Sequence, residues 1–335
     1  MNKNLNSLWP NKGNIELIQI IDDLVWDSKL QLSSQYSIYL TSNFLRWSGL
    51  LEYRYFLYEN GAPKLGCLLP PKIIDGMNSL SYCMYQGIFF IENPKRSYSD
   101  DLGRAHTLSQ LTSQLVNSAC GAVLALHHSI VDIRGIHWYL FEKGISSLLQ
   151  YKVHYTGIIH LQDFSDFEDY KKTIRKVRLQ ELATTHKMNS VSLNTQPDIQ
   201  IFINMYRDMF SQRGINIGKS ELQRVSTIIE NGLSSGVGNL LILQENDGTP
   251  VSGIFILSDK TTDFYQFGAS NPARLKLNGS SYLILHAIEL AFMNGRKYFD
   301  MVGMNSPNRG EYKASFNARV KPYFELELTT STIGE

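Results

Sequence analysis

The chain has 335 residues, a formal net charge of +1, 43% hydrophobic residues and 11% aromatic residues. That length allows two domains of ordinary size, and the apolar content supports a core and argues against disorder. A balanced charge excludes a global field drawing in DNA or an anionic membrane surface, so any anion site must be local.

In chain order, the first half opens on an expected helix from Ile15 to Asp23 and a second from Ser42 to Leu50. Tyr53 to Glu59 reads as a strand, Asn60-Gly61-Ala62-Pro63 as a turn, and Lys64 to Leu69 as the returning strand of a hairpin. Another strand is expected from Tyr82 to Ile91. A helix follows from Leu102 to Ser118, where Leu108, Leu111 and Leu115 make one apolar face. Ala122 to Leu126 and Trp138 to Glu142 read as strands.

In the second half, Phe164, Phe167, Tyr170, Ile174 and Val177 recur at helical spacing. Lys171, Arg175 and Arg178 fall on another face, beside Lys172 and Lys176. Ile199 to Gln212 and Ser220 to Asn231 are two more helices. Three strands then follow quickly: Asn239 to Glu245, Val251 to Ser258 and Thr262 to Phe267, with turns at Asp247-Gly248 and Asp259-Lys260. This meander feeds a polar loop, Ala269 to Asn278, an apolar helix, Ser281 to Asn294, and a strand, Lys297 to Asp300. Last comes the run Gly303 to Phe316. Helix and strand alternate, so the fold class is α/β. The boundary falls near residues 150 to 162, giving domains 1–155 and 156–335.

The polar stretch Met1 to Gly13 lacks an apolar signal core, and no run reaches the roughly 20 apolar residues of a membrane span, so a cytoplasmic protein is expected. Cys67, Cys83 and Cys120 fit no metal-ligand spacing and read as buried thiols of a reducing compartment. His127, His128 and His137 form no metal pattern, and no metal is expected.

The order of hairpin strands, third strand, glycine loop, helix, strand, short helix and last strand resembles the GNAT acyltransferase fold. Four motifs resemble the FemAB-like branch, which joins two GNAT-like domains in one chain. They are Lys172-Thr173-Ile174-Arg175-Lys176, Gly268-Ala269-Ser270, Tyr298-Phe299-Asp300 before Gly303, and Tyr312-Lys313-Ala314-Ser315-Phe316. Two positions depart from the pattern: Asn317 stands where the branch has glycine, and Ser281 where the GNAT phosphate loop ends on a small residue. The resemblance implies two GNAT-like domains, each a mixed, mostly antiparallel sheet flanked by helices. It also implies an N-acyltransferase, with acyl-coenzyme A as co-substrate and an amine acceptor such as an amino sugar or cell-envelope precursor in the cleft between domains. Members of the branch proper use aminoacyl-tRNA on peptidoglycan precursors, which is the alternative donor. A catalytically degenerate binding scaffold is a third reading.

The candidate residues follow. A helix N-terminus offers unpaired N–H groups and a positive dipole end. Lys276, Asn278, Gly279, Ser280 and Ser281 would there hold a pyrophosphate, although the same Asn-Gly-Ser run can be a plain turn and cap. Asp300, at a strand end, is placed to accept a proton from an attacking amine or to cap the following turn. Tyr265 is a proton-transfer or packing residue. The resemblance places Tyr312 and Lys313 near the reaction centre, with Lys313 on an oxyanion or phosphate. Arg175 and Arg178, on the basic run Lys171 to Arg178, would bind a phosphorylated acceptor such as a nucleotide-linked sugar or an RNA acceptor stem, or simply face solvent. His286 and Glu289 are three apart on the apolar helix and read as rim residues.

Overall fold

The computed structural model describes residues 13–74, 77–91, 98–118, 121–188 and 190–329. Cys120 lies outside them; Cys67 and Cys83 are buried. The chain forms two compact units, one of residues 1–154 with 322–335, the other of residues 155–321.

In the first unit, strand β1 (Ile15–Gln19) leads into helix α1 (Asp23–Leu30), then α2 (Ser42–Trp47). Strands β2 (Arg54–Glu59) and β3 (Ala62–Leu68) make the expected hairpin. Its turn residues Asn60 and Gly61 have φ of 51° and 77°, the left-handed pair that a tight hairpin turn demands. The short strands β4 (Ile73–Ile74) and β5 (Met77–Asn78) pair with each other. Strand β6 (Ile88–Phe90) completes a sheet of order β1-β2-β3-β6. Helix α3 (Tyr98–Asn117), strand β7 (Ala122–Ala125) and helix α4 (Arg134–Glu142) follow. Leu108, Leu111 and Leu115 of α3 pack into a core with Leu57, Leu65, Ile88, Leu124, Ile136 and Leu140.

Strand β8 (Leu149–His160) carries the chain into the second unit. There α5 (Phe167–Lys171), α6 (Lys176–His186), β9 (Val191–Asn194), α7 (Ile199–Ser211) and α8 (Lys219–Ser234) precede the meander β10 (Gly238–Glu245), β11 (Pro250–Ser258) and β12 (Thr262–Ser270). Helix α9 (Gly279–Met293), strand β13 (Tyr298–Asp300) and helix α10 (Pro307–Ala314) come next, and β14 (Arg319–Leu328) returns the chain to the first unit, where it pairs with β7. The second unit's strands run β8-β13-β12-β11-β10-β9. All contacts are antiparallel except β12 with β13. Helix α9 is apolar on most sides because it is sunk in the core: Leu283, Ile284, Leu285 and Ile288 are fully buried beside Ile254, Phe299 and Phe316.

The α/β class and two-unit build match the reading from sequence; four local expectations do not. Ile15–Gln19 is a strand, paired from Ile15↔Glu59 to Gln19↔Tyr55. The helix starts only at Asp23, because the Asp22 carboxylate accepts the N–H groups of Leu24 and Val25 and so caps it. Trp138–Glu142 is the end of a helix. Its aromatic residues favour strands locally, but Ile136 and Leu140, one turn apart, both face the core. Tyr82 to Ile91 is extended only at β6, with Tyr82 and Tyr85 at φ of 64° and 58° upstream. The helix expected through Phe164–Val177 breaks at Arg175, which is extended (φ −60°, ψ 134°) and gives its N–H to the Ser315 carbonyl. The neighbouring Tyr170 hydroxyl donates to the Phe316 carbonyl at 2.6 Å, and Asn317 Nδ2 to Thr173 Oγ1 at 2.9 Å. Two motifs about 140 residues apart in sequence are thus stitched together.

Candidate functional site

The site is set by where β12 and β13 part. They pair only over Thr262–Phe264 and Tyr298–Asp300. Beyond Asp300 the chain turns to β8: Met301 N–H donates to the Gly157 carbonyl at 2.8 Å, and Met304 N–H to that of Tyr155 at 2.7 Å. Strand β12 meanwhile continues along β11 to Ser270, and its end leads to the N-terminus of α9. A wedge therefore opens from Tyr265 toward Gly279.

Lys313 sits at the apex. It is 7% exposed, and its Nζ donates to the carbonyls of Met301, Val302 and Gly303 at 2.6, 3.0 and 3.1 Å. The same atom lies 5.2 Å over the ring of the half-buried Tyr265. Burial pulls the ammonium down to about 7, and nearby Arg309 adds to the drop while Asp300 opposes it. Burial also raises the Tyr265 phenol. The carbonyls that Lys313 holds belong to a turn in which Val302 has φ of 55°. A β-branched residue in that region is strained by roughly 1–3 kcal/mol and persists only where its surroundings hold it. Asp300 grips the turn from the other side. It is 2% exposed, and its Oδ1 accepts from Val302 N at 2.8 Å and from Thr156 Oγ1 at 2.5 Å. Nothing in the sequence around Thr156 marks it, because its role exists only once β8 lies beside β13.

Tyr312 and Arg178 form a second group. The Tyr312 hydroxyl is 3.0 Å from Ser281 Oγ, and burial pushes its phenol up to about 12 against the opposing bond to Ser281. The Arg178 guanidinium lies 4.8 Å over the Tyr312 ring, and its Nη1 donates to Ser281 Oγ at 2.9 Å and Glu181 Oε2 at 2.6 Å. Arg175 is apart from this group: its Nη1 meets Glu311 Oε1 at 2.9 Å with both side chains well exposed.

At the start of α9, Asn278 has φ of 54° and provides no side-chain cap. Gly279 is buried, and a Cβ there would meet Ser252 Cβ and Val251 Cγ1 at 2.9 Å, so glycine is needed to seat the helix on β11. Ser280 Oγ is 2.6 Å from Ser270 Oγ and 2.9 Å from Ser252 Oγ, closing a hydroxyl cluster under the helix end. Lys276 is exposed. His286 and Glu289 face each other at 3.7 Å on the far part of the helix.

The structure therefore joins Lys313, Tyr265 and Asp300 at the apex, and Tyr312, Arg178 and Ser281 beside the helix end. Asn278, Gly279, Ser280 and Lys276 line or border that end. Chemically the wedge offers two half-buried phenols and a helix N-terminus with no side-chain cap, a set suited to holding an anionic chain and passing a proton.

Residues 169–314 match the family model of the acetyltransferase (GNAT) domain. The second unit carries a GNAT domain. A domain of this kind supports acyl transfer as the chemistry of that unit. A search of curated protein sequences finds no match to it. Among solved structures it is similar to FemX, with a TM-score of 0.64 at 10% identity over 92% of this chain and 96% of that one. L-PGS from Bacillus licheniformis gives 0.51 at 10% identity, covering 92% of each chain. A GNAT-family acetyltransferase from Colwellia psychrerythraea gives 0.50 at 8% identity over 94% of this chain and 100% of that one. At such identities the likeness is one of fold. Among the described residues, no helix is long and apolar enough to cross a membrane.

Proposed function

We propose that this chain moves an acyl group from acyl-coenzyme A to the amine of an acceptor such as an amino sugar or cell-envelope precursor, with its second unit (155–321) binding the donor and its first unit shaping the acceptor site. The observation that carries this reading is the wedge between β12 and β13 opening toward an α9 N-terminus that no side chain caps. An extended thioester arm would run along β12, where pairing with β13 has stopped, and the positive helix end with Lys276 and the Ser280 and Ser281 hydroxyls suits the pyrophosphate.

In the reaction the amine nitrogen attacks the thioester carbonyl, the carbon–sulfur bond breaks, the amine loses a proton and the departing thiolate takes one up. Tyr312 is our candidate proton donor: its phenol stays protonated at neutral pH, and Arg178 and Ser281 fix its orientation. Tyr265 lines the same wedge. Asp300 and Lys313 hold the Met301–Gly303 turn that forms one wall, which supports a positioning role for both.

Aminoacyl-tRNA is the competing donor. Against it, the basic run that would face RNA is largely neutralised: Lys171, Lys172, Arg175 and Arg178 each meet a carboxylate, from Glu168, Asp169, Glu311 and Glu181. Hydrogen exchange with and without coenzyme A and acetyl-coenzyme A tests the choice. Protection over residues 265–282 with a raised thermal midpoint is expected, since a ligand held only by the folded state adds about 2.7 kcal/mol at a hundredfold excess over Kd. No protection at millimolar ligand, with binding of charged tRNA instead, would overturn the coenzyme A reading.

A further inference from the structure

In the first unit, α3 carries a stripe that the apolar core does not use. Opposite Leu108, Leu111 and Leu115, the residues Ser109, Gln110 and Ser113 follow at helical spacing. A helix of this kind ordinarily turns its polar face to water. Here α4 covers it. The two helices touch at Gly135, where a Cβ would stand 1.8 Å from the Ala105 carbonyl oxygen. C-terminal to that contact on both helices lies a cleft of about 490 Å³, walled on one side by the α3 stripe and on the other by Tyr139, Glu142 and Lys143. That volume lies within the roughly 300–1,000 Å³ of small-molecule sites.

The floor of the cleft is polar and incompletely bonded. Ser109 is 6% exposed, and its hydroxyl has no partner among the described residues. Gln110 is 5% exposed; Glu59 Oε1 accepts one of its amide N–H bonds at 2.9 Å, leaving the other N–H and the carbonyl oxygen uncommitted. These groups open onto the cleft, where a ligand or water can complete their bonding. The chemistry is layered. Ser109 and Gln110 lie deep, with the half-buried His106 imidazole on the same wall and the Glu59 carboxylate behind Gln110, while the charged Glu142 and Lys143 are exposed at the rim, with Lys143 Nζ 5.9 Å over the Tyr139 ring. A ligand that brought a formal charge to the floor would find no counter-charge from Ser109, Gln110 or Ser113. A neutral ring bearing several hydroxyls would match them group for group.

We infer that the cleft between α3 and α4 is a binding site for a neutral saccharide ring. This goes beyond the donor reading and does not depend on it, because binding is measured with no donor present.

Saturation-transfer NMR on the full chain tests it, using D-glucose, N-acetylglucosamine and its β1,4-linked disaccharide, with glycine as the charged control. Transfer to at least one saccharide and none to glycine is expected at millimolar ligand. Ser109→Ala and Gln110→Leu should each weaken binding, by about tenfold where a buried hydrogen bond is lost. All four tryptophans lie at or before residue 138, so their fluorescence checks that both variants keep the first unit folded. Glu142→Gln, at an exposed position, provides a variant with little risk to folding and should weaken a saccharide that reaches the rim. Absence of transfer to every saccharide would overturn the assignment, as would transfer left unchanged in Ser109→Ala and Gln110→Leu. Transfer to glycine in place of the sugars would overturn the ligand class.

Discussion

Lys313→Met is the sharpest perturbation of the wedge. It removes the donor to the Met301, Val302 and Gly303 carbonyls and also removes a buried ammonium. These effects oppose each other and are of similar size, a few kcal/mol each, so stability at a single pH decides little. The pH slope decides more. The folded state holds this amine at about 7, below its ordinary 10.5. Between those values the unfolded chain binds the extra proton, so stability from this group rises with pH, by roughly 1.4 kcal/mol per unit at full slope. The burial penalty is complete below about pH 7 and is relieved as pH climbs toward the unfolded value. The parent should therefore gain about 2 kcal/mol on Lys313→Met between about pH 7 and about pH 9. The second unit contains no tryptophan, so tryptophan fluorescence reports the other unit, and amide exchange over residues 298–316 is the appropriate readout. A parent-minus-variant difference that stays flat or shrinks over that range would refute the reasoning. It would mean that the three carbonyls keep the lysine charged despite its burial.

Three further outcomes are expected. Gly279→Ala places a methyl at 2.9 Å from Ser252 and Val251 and should cost about 1–3 kcal/mol by overpacking, read as weakened exchange protection in α9; protection equal to the parent would show that the helix can shift at no cost. Tyr312→Phe keeps the ring under Arg178 but loses the hydroxyl at Ser281, so stability should fall by only about 1 kcal/mol while thiol release from acetyl-coenzyme A falls by about 100-fold or more; equal turnover would remove Tyr312 as proton donor. Thr156→Val strips one donor from buried Asp300 and should cost about 1–3 kcal/mol, with faster exchange at Val302; unchanged exchange there would show that the Val302 turn does not need Thr156.

Much of the second unit was legible because its signals are local. The three-strand meander, its turns, the apolar α9 and the Tyr312–Phe316 motif each depend on neighbours a few residues away. The first unit was less so. Ile15–Gln19 and Trp138–Glu142 are short segments whose local pattern permits either state, and their conformations are set by pairing with β2 and by packing on α3. The site divides in the same way. Lys313, Tyr312, Tyr265 and Asp300 could be picked out by residue type and motif, but their partners could not. Thr156 and the carbonyls of Met301–Gly303 come from segments whose proximity exists only after β8, β13 and α10 have assembled.

The α/β class, the run from the β10–β12 meander through α9 to β13 and the candidate residues can be read along the chain, because hydrophobic period, turn chemistry and motif order are local. What those residues touch depends on the assembled fold. It showed Gly279 as a packing glycine, Arg175 as the end of a broken helix bonded to Ser315, and Lys313 as the ammonium that braces a strained turn. Burial and long-range hydrogen bonding assign such roles, and neither is encoded within a window of neighbouring residues.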